Sequence, residues 1–305
     1  MIEEIGKYKY IYHYTSFDAL FAILHNYRIE EKDCFVFRAS SIYNVNDPME
    51  MISGYNAIKK FIQEYEEDKK IPHHLRLTEV FENKEYEEIC KSDYLAGKNG
   101  RLTIGHVPYV ISFSARRDYL PMWNLYGKNG MGVCLKFDIP RIINNKSQEL
   151  NFIGFVKYVG KGKTRLHSGD IKKVLDFSYK SYLSSCYCKR ESLNIKEKIS
   201  ELATNMLCLS PFIKYKDYSY EKEFRIVVLK QYGIQENIDV WNMLFLPYQQ
   251  TEKYIEYNIS KQALREIIIG PCANYDVMKH IISNELKGCD LQVEISKSRI
   301  PFRIK

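Results

Sequence analysis

The chain has 305 residues, 45% hydrophobic and 27% charged, with 45 Lys and Arg against 38 Asp and Glu for a formal net charge of +7. This composition is globular, excludes disorder over most of the length, and suits one or two domains with a real core. The mild positive surplus permits a polyanionic or phosphate-bearing partner without requiring one, no run of 18 apolar residues proposes a membrane span, and the opening "MIEEIGKYKY" does not read as a secretory signal.

In chain order, "YKYIYHYT" alternates and is β-rich, so Lys9 to His13 is predicted as a strand. Thr15, Ser16 or Asp18 can cap the helix that follows, whose apolar stripe is Phe17, Leu20, Phe21 and Leu24. "CFVFRASSIYNVNDPMEM" reads as a short strand and a polar turn, with Asp47 as cap and Pro48 in the first turn of a new helix. Residues 56–100 are rich in Lys and Glu at helical spacing and are expected to form one or two surface helices, an insertion. Tyr109 to Ser114 is the next strand. "MWNLYGKNGMGVCLKFDI" predicts a short helix, a Gly-rich turn and a strand over Gly132 to Phe137, and "FIGFVKYV" another strand.

Residues 171–209 form a second helical insertion, with Val174, Leu175, Phe177, Tyr179 and Leu183 expected to pack in the core. "YEKEFRIVVL" alternates and then turns fully apolar, a strand. "YIEYNI", "LREIIIGP" and the closing "LQVEISKSRIPFRI" are β segments, with a helix over "YDVMKHIISNEL". Eight cysteines are scattered; only Cys186 and Cys188 are close, and C-x-C alone is not a zinc signature, so free thiols in a cytoplasmic protein and no metal are expected. Strands interleaved with helices argue for one α+β domain over 1–305.

Four stretches concentrate polar residues on strands or at their ends. Glu221 and Glu223, two apart, would share one strand face with Arg225 next in line. They form either a charged edge in which Arg225 pairs with Glu223, or a carboxylate set beside a developing positive charge. Ser112 and Ser114 likewise share a face. His13 stands at the strand-to-helix junction, with Tyr14 and Thr15 after it. Asn46 and Asp47 are a turn and helix cap, or part of a site. Trp123 and Tyr126, three apart on a short helix, are core or an aromatic platform.

A histidine on the first strand, an S-x-S strand in the middle and an E-x-E strand later resembles the arrangement of ADP-ribosyltransferases, and the opening "YHYTS" resembles their strand-to-helix start. The chain as a whole resembles a bacterial family catalogued as domain of unknown function 2971, through "YHYTS", "NVNDPME", "SFS…MWNLYG…GVCLKFD", "YEKEFRIV", "IIIG" and "SKSRIPFRI". The resemblance implies an ADP-ribosyltransferase-like split β-sheet core with peripheral and inserted helices, and NAD as substrate. It implies that His13 and Thr15, with Tyr14 between them, contact NAD, that Ser112 and Ser114 support the site, that Glu223 is the catalytic carboxylate, and that Glu221 positions the acceptor. Asn46, Asp47, Trp123, Tyr126 and Arg225 complete the expected NAD-binding set.

The expected activity is ADP-ribosyl transfer or NAD hydrolysis, in a toxin or phage-defence effector by family analogy, with a protein or nucleic-acid acceptor and a regulatory partner. Two other readings follow from the same residues. A metal-dependent nuclease would use Asp47, Glu221 and Glu223 with Lys222, although on a strand Lys222 points to the opposite face. A non-catalytic sensor would meet nucleotide or nucleic acid through the basic "KYVGKGKTRLH" and "KSRIPFRIK".

Overall fold

Alternating large side chains extend the chain over Tyr10–Thr15 (β1). Ser16 ends the strand: its hydroxyl accepts from the Ala19 amide at 3.1 Å, an N-cap. The helix Phe17–His25 (α1) then buries Leu20 and Leu24. The computed structural model describes residues 6–25, 33–45, 50–78, 103–143, 151–160, 169–187, 208–234, 252–289 and 291–302.

The chain continues through Cys34–Ser41 (β2), Glu50–Asp68 (α2), Thr103–Ser114 (β3), Leu120–Leu125 (α3), Val133–Asp138 (β4) and Ile139–Ile143 (α4). Asn151–Phe155 (β5), Lys157–Val159 (β6), Gly169–Tyr187 (α5), Ile213–Tyr215 (β7) and Glu223–Ile234 (β8) follow. Tyr254–Ser260 (β9), Leu264–Ile269 (β10), Tyr275–Gly288 (α6) and Glu294–Lys297 (β11) end the series.

Among the described residues nine strands make one mixed, mostly antiparallel sheet, with the order β11-β10-β4-β1-β3-β2-β9 and with β8 and β5 attached through β3. Only β10 and β11 run parallel within it. A separate parallel pair, β6 and β7, stands beside it. This is the α+β architecture read from the sequence. No helix among the described residues is long and apolar enough to cross a membrane.

One detail of the pairing makes the site. β3 pairs with β8 along its whole length, from Thr103 opposite Ile234 to Ser114 opposite Glu223. Its other edge is shared. β1 meets it only at Tyr12 opposite Ser114, and β2 only at Ser40 opposite Val110 and Ser41 opposite Tyr109. Beyond those points each strand peels away, β1 to β4 and β2 to β9. The sheet forks, and Ile111, Ser112 and Phe113 lie on the edge that neither arm claims.

Period-two alternation sends opposite residues to the two faces. One face carries the largest core, including Ile11, Phe37, Ile111, Phe113, Phe137, Phe224 and Ile226, covered by α1, α4 and α6. The other face carries two smaller clusters. Val110, Val227 and Leu229 pack under α2, α5 and Phe212; Tyr12, Tyr14 and Ile268 pack under Met122 and Trp123 of α3. Ser112, Glu223 and Arg225 lie on this second face between those two clusters, whereas His13 alternates with Tyr12 and Tyr14 onto the face of Ile11.

The described part of the first expected insertion is α2, which buries Ala57, Ile58, Phe61 and Ile62 rather than lying wholly on the surface; residues 79–100 lie outside the described residues. Buried Glu66 joins this helix to α5, accepting from the Leu77 amide and the Tyr179 hydroxyl, each at 2.7 Å. In α5 the 3.6-residue period puts Leu175, Tyr179 and Tyr182 inside. It turns Phe177 outward, 71% exposed, where core packing was expected. Residues 188–207 lie outside the described residues.

Candidate functional site

The fork opens into a cleft of about 270 Å3 whose walls come from β1, β2, β3, α3, β7 and β8, and from the turn before β8. His13 sits where the arms part. Its Nδ1 lies 3.0 Å from the Ser112 carbonyl oxygen, on the stretch of β3 that neither β1 nor β2 reaches. Its ring fits between Phe37 of β2, 5.6 Å away, and Phe113 of β3, 5.5 Å away. A polar side chain at this junction thus replaces the missing ladder bond. Burial lowers the His13 pKa and the bond to Ser112 opposes it only in part, so near pH 7 the imidazole is neutral, donates from Nδ1 and keeps Nε2 as an acceptor.

The β8 wall is ionic. Arg225 is 1% exposed and grips Glu223 with two prongs, Nε to Oε1 at 2.7 Å and Nη2 to Oε2 at 2.9 Å. A third guanidinium hydrogen goes to the Pro211 carbonyl. Lys214, on β7, reaches both glutamates, 2.8 Å from Glu221 Oε2 and 3.3 Å from Glu223 Oε2. Its stem is covered, and its ammonium lies 4.5 Å from the Tyr218 ring centroid. The Tyr126 hydroxyl donates to Glu221 Oε1 at 2.8 Å, and the Glu223 amide donates to Tyr158 Oη at 2.9 Å.

These surroundings drive the two carboxyls apart. Burial would raise Glu223, but the charges of Arg225 and Lys214 and hydrogen bonds from Arg225 and Ser112 hold it well below the usual carboxylate range. Burial raises Glu221, Lys214 pulls it back and the charge of Glu223 pushes it up again, for a net upward shift. One acid is a locked anion; its neighbour holds a proton more readily than an ordinary carboxylate. Such divergence within a cleft is the pattern expected of acid–base machinery.

The placement of the glutamates differs from the sequence expectation. Glu221 is not on the strand: it ends a 3-10 turn over Lys216–Glu221, and β8 begins at Glu223. Between them Lys222 has φ 44°, the left-handed region, so the two carboxyls converge through Lys214 rather than through strand alternation. Lys222 is exposed. The Glu223–Arg225 pair on one face is as expected.

The other predicted residues divide. His13, Tyr14, Ser112, Tyr126, Glu221, Glu223 and Arg225 line the cleft. Ser114 is fully buried behind it, donating to the Glu221 carbonyl at 2.5 Å and accepting from the Arg116 amide at 3.0 Å, so it holds Glu221 in position. Thr15 is not in the cleft wall: the end of β1 is covered by Gly132, where any Cβ would come within 2.2 Å of the Thr15 carbonyl oxygen. Trp123 is fully buried beneath Tyr14, at 5.0 Å between centroids, and donates to Asp118 at 2.8 Å. It is a core residue and not a platform. Asn46 and Asp47 lie outside the described residues, as do residues 161–167 of the first basic segment and 303–305 of the second.

Sequence reasoning missed Tyr12, Arg38, Ser40, Lys214 and Tyr218, all in the cleft wall. Lys214 left a signal, a single lysine following the apolar "SPFI". Arg38 left none: on "CFVFRAS" it occupies an ordinary outward position.

The model of the family described as Protein of unknown function (DUF2971) matches residues 122–226. That stretch carries Tyr126, Lys214, Glu221, Glu223 and Arg225; His13, Arg38, Ser112 and Ser114 precede it. No curated protein and no solved structure matches the chain.

Proposed function

We propose that the cleft binds NAD and cleaves its bond between ribose and nicotinamide, passing ADP-ribose to an acceptor or to water. The observation that carries this reading is the fork itself, with a neutral imidazole at its apex and a pair of carboxyls of opposite tendency on its ionic wall. The cleft volume is at the low end for ligand sites, about right for the nucleoside end of a dinucleotide whose remainder extends outward. Tyr12, Tyr14 and Tyr126 offer aromatic surface for the flat pyridinium. His13 Nε2 is an acceptor for a ribose hydroxyl.

As the C1′–N bond breaks, its electron pair leaves with neutral nicotinamide and positive charge builds on the ribose. A carboxylate beside that carbon offsets it. The buried Arg225 holds both oxygens of Glu223 and Lys214 adds a second contact to one of them, whereas the Glu221 oxygens take one bond each, from Tyr126 and Lys214, so Glu223 serves as the anchor that orders the wall. Glu221 takes the part of reacting carboxylate. Its charge stabilises the ribose cation, and it accepts the proton lost when the acceptor's hydroxyl or amine, or a water, bonds to C1′. This exchanges the roles that the family resemblance implied for the two glutamates. The nuclease reading is weaker because Lys214 and Arg225 already occupy the carboxylates that a metal would need.

The test is to incubate the purified protein with NAD and with protein, DNA, RNA or small-molecule acceptors. Free nicotinamide is followed by chromatography and the adduct by mass spectrometry. Nicotinamide is expected, and Glu221→Gln should reduce its release by roughly 100-fold or more, the scale of a lost transition-state charge contact. NAD left intact with every acceptor, or a fully active Glu221→Gln, would overturn the proposal.

A further inference from the structure

Three cationic side chains and two carboxylates line the cleft. Lys214 and Arg225 are both committed to Glu221 and Glu223. Arg38 stands on the opposite arm, on β2, and makes no ion pair among the described residues. Glu256 is its register neighbour on β9, yet the Arg38 guanidinium lies on the ring of Tyr254, 4.5 Å from the centroid. A cation–π seat of this kind holds a guanidinium in place without neutralising it. Ser40 lines the same arm, and Asn44 beside it is fixed by a bond from its side-chain amide to the Lys253 carbonyl at 3.4 Å.

The cleft is therefore divided in charge. The β8 wall balances internally, and the surplus positive charge sits on β2. We infer that Arg38, with Ser40 and Asn44, is a phosphate-holding subsite that makes the cleft select phosphorylated nucleotides over nucleosides. Planar, two-pronged donation is the geometry by which arginine takes phosphate oxygens. The inference rests on the nucleotide reading of the cleft and adds an orientation to it: the ligand crosses the fork, with its phosphates on the β2 arm and its ribose–nicotinamide bond at Glu221.

The test uses the full chain and the variants Arg38→Ala and Arg38→Lys, with folding checked by circular dichroism. Arg38 is exposed, so both should fold as the parent does. Binding of ADP-ribose, ADP, pyrophosphate, adenosine and nicotinamide riboside is measured by calorimetry. Arg38→Ala should weaken ADP-ribose and ADP by roughly ten- to a hundredfold, the range for charge-assisted hydrogen bonds. Arg38→Lys should recover part of the loss, and the two unphosphorylated ligands should not distinguish the variants. Equal ADP-ribose affinity in parent and Arg38→Ala overturns the subsite. Arg38-dependent ADP binding without nicotinamide release supports the subsite while the cleavage reading falls. Nicotinamide release with an unchanged KM for NAD in Arg38→Ala overturns the subsite and leaves cleavage standing. No binding of any phosphorylated ligand to the parent overturns the subsite.

Discussion

Among its described residues the sheet holds two buried glutamates with nearly the same partners, and one of them, Glu223, lines the cleft described above. Glu266 on β10 is 1% exposed and takes Arg117 at 2.6 Å, Lys136 at 3.2 Å and the Ser296 hydroxyl at 2.7 Å. Glu223 on β8 takes Arg225, Lys214 and Ser112. Both carboxyls are held below the usual range. The difference lies in the partners. Those of Glu266 reach solvent, Arg117 41% and Lys136 20% exposed, while Arg225 and Lys214 are covered. A second acid, Glu221, also shares Lys214. A buried ion pair alone thus marks no site; what sets the β8 wall apart is an additional carboxyl left with a raised tendency to hold a proton.

The largest expected effect breaks the symmetry directly. Glu223→Gln leaves Arg225 and Lys214 buried with one anion fewer, and should destabilise by about 3–5 kcal/mol, read as a lowered urea midpoint. Glu266→Gln frees cations that can turn to water, and should cost about 1–2 kcal/mol. Equal costs would mean that exposure of the partners does not matter here. This result also bears on function: loss of activity in Glu223→Gln would come with lost stability, whereas Glu221→Gln should lose activity while staying folded.

Acidity should separate the two neighbours with opposite signs. The folded Glu223 carboxyl lies below its unfolded range, so its stabilisation is complete above that range and is lost as pH falls toward the depressed value. The stability gap between the parent and Glu223→Gln should therefore narrow on acidification below about pH 4. Glu221 is raised in the folded state, so its ionisation costs stability as pH climbs through the window above the ordinary range. Glu221→Gln should accordingly gain on the parent over that window. Urea midpoints from pH 3 to 8 test both; gaps that move in the same direction would refute the assignment of opposite shifts.

Much of this was legible because alternation and helical spacing are local. "YIYHYT" and "YEKEFRIVVL" announced their strands, and the motif order brought His13, Ser112, Glu221 and Glu223 to one cleft. What escaped depends on long-range or unusual backbone geometry. "YEKEF" alternates as a strand should, and nothing in it tells of a left-handed Lys222, a conformation that costs a lysine about 1 kcal/mol or more and persists only because tertiary contacts enforce it. The fork arises from how far two strands follow β3 before turning to other partners, and no single segment encodes that. Arg38 gained its meaning only when β2 became one arm of the fork. Trp123 reads from sequence as core before platform, and its burial with the indole N–H on Asp118 makes it core.

The finest probe of the comparison is Tyr126. Its hydroxyl donates to Glu221 and opposes the upward shift, a contact that Glu266 obtains from Ser296 instead. Tyr126→Phe keeps the ring against the cleft and removes one hydrogen bond to the ionised form, worth about 0.5–1.5 kcal/mol. By the conversion of about 1.4 kcal/mol per pH unit, the Glu221 carboxyl should rise by roughly 0.4 to 1 unit. If ionised Glu221 serves the reaction, the acidic limb of the rate profile moves upward by that amount, while the rate on the plateau changes little. A merely structural tyrosine would lower stability and leave the limb in place. The same substitution should leave the pH dependence of Glu266→Gln unchanged, because the two clusters share no partner.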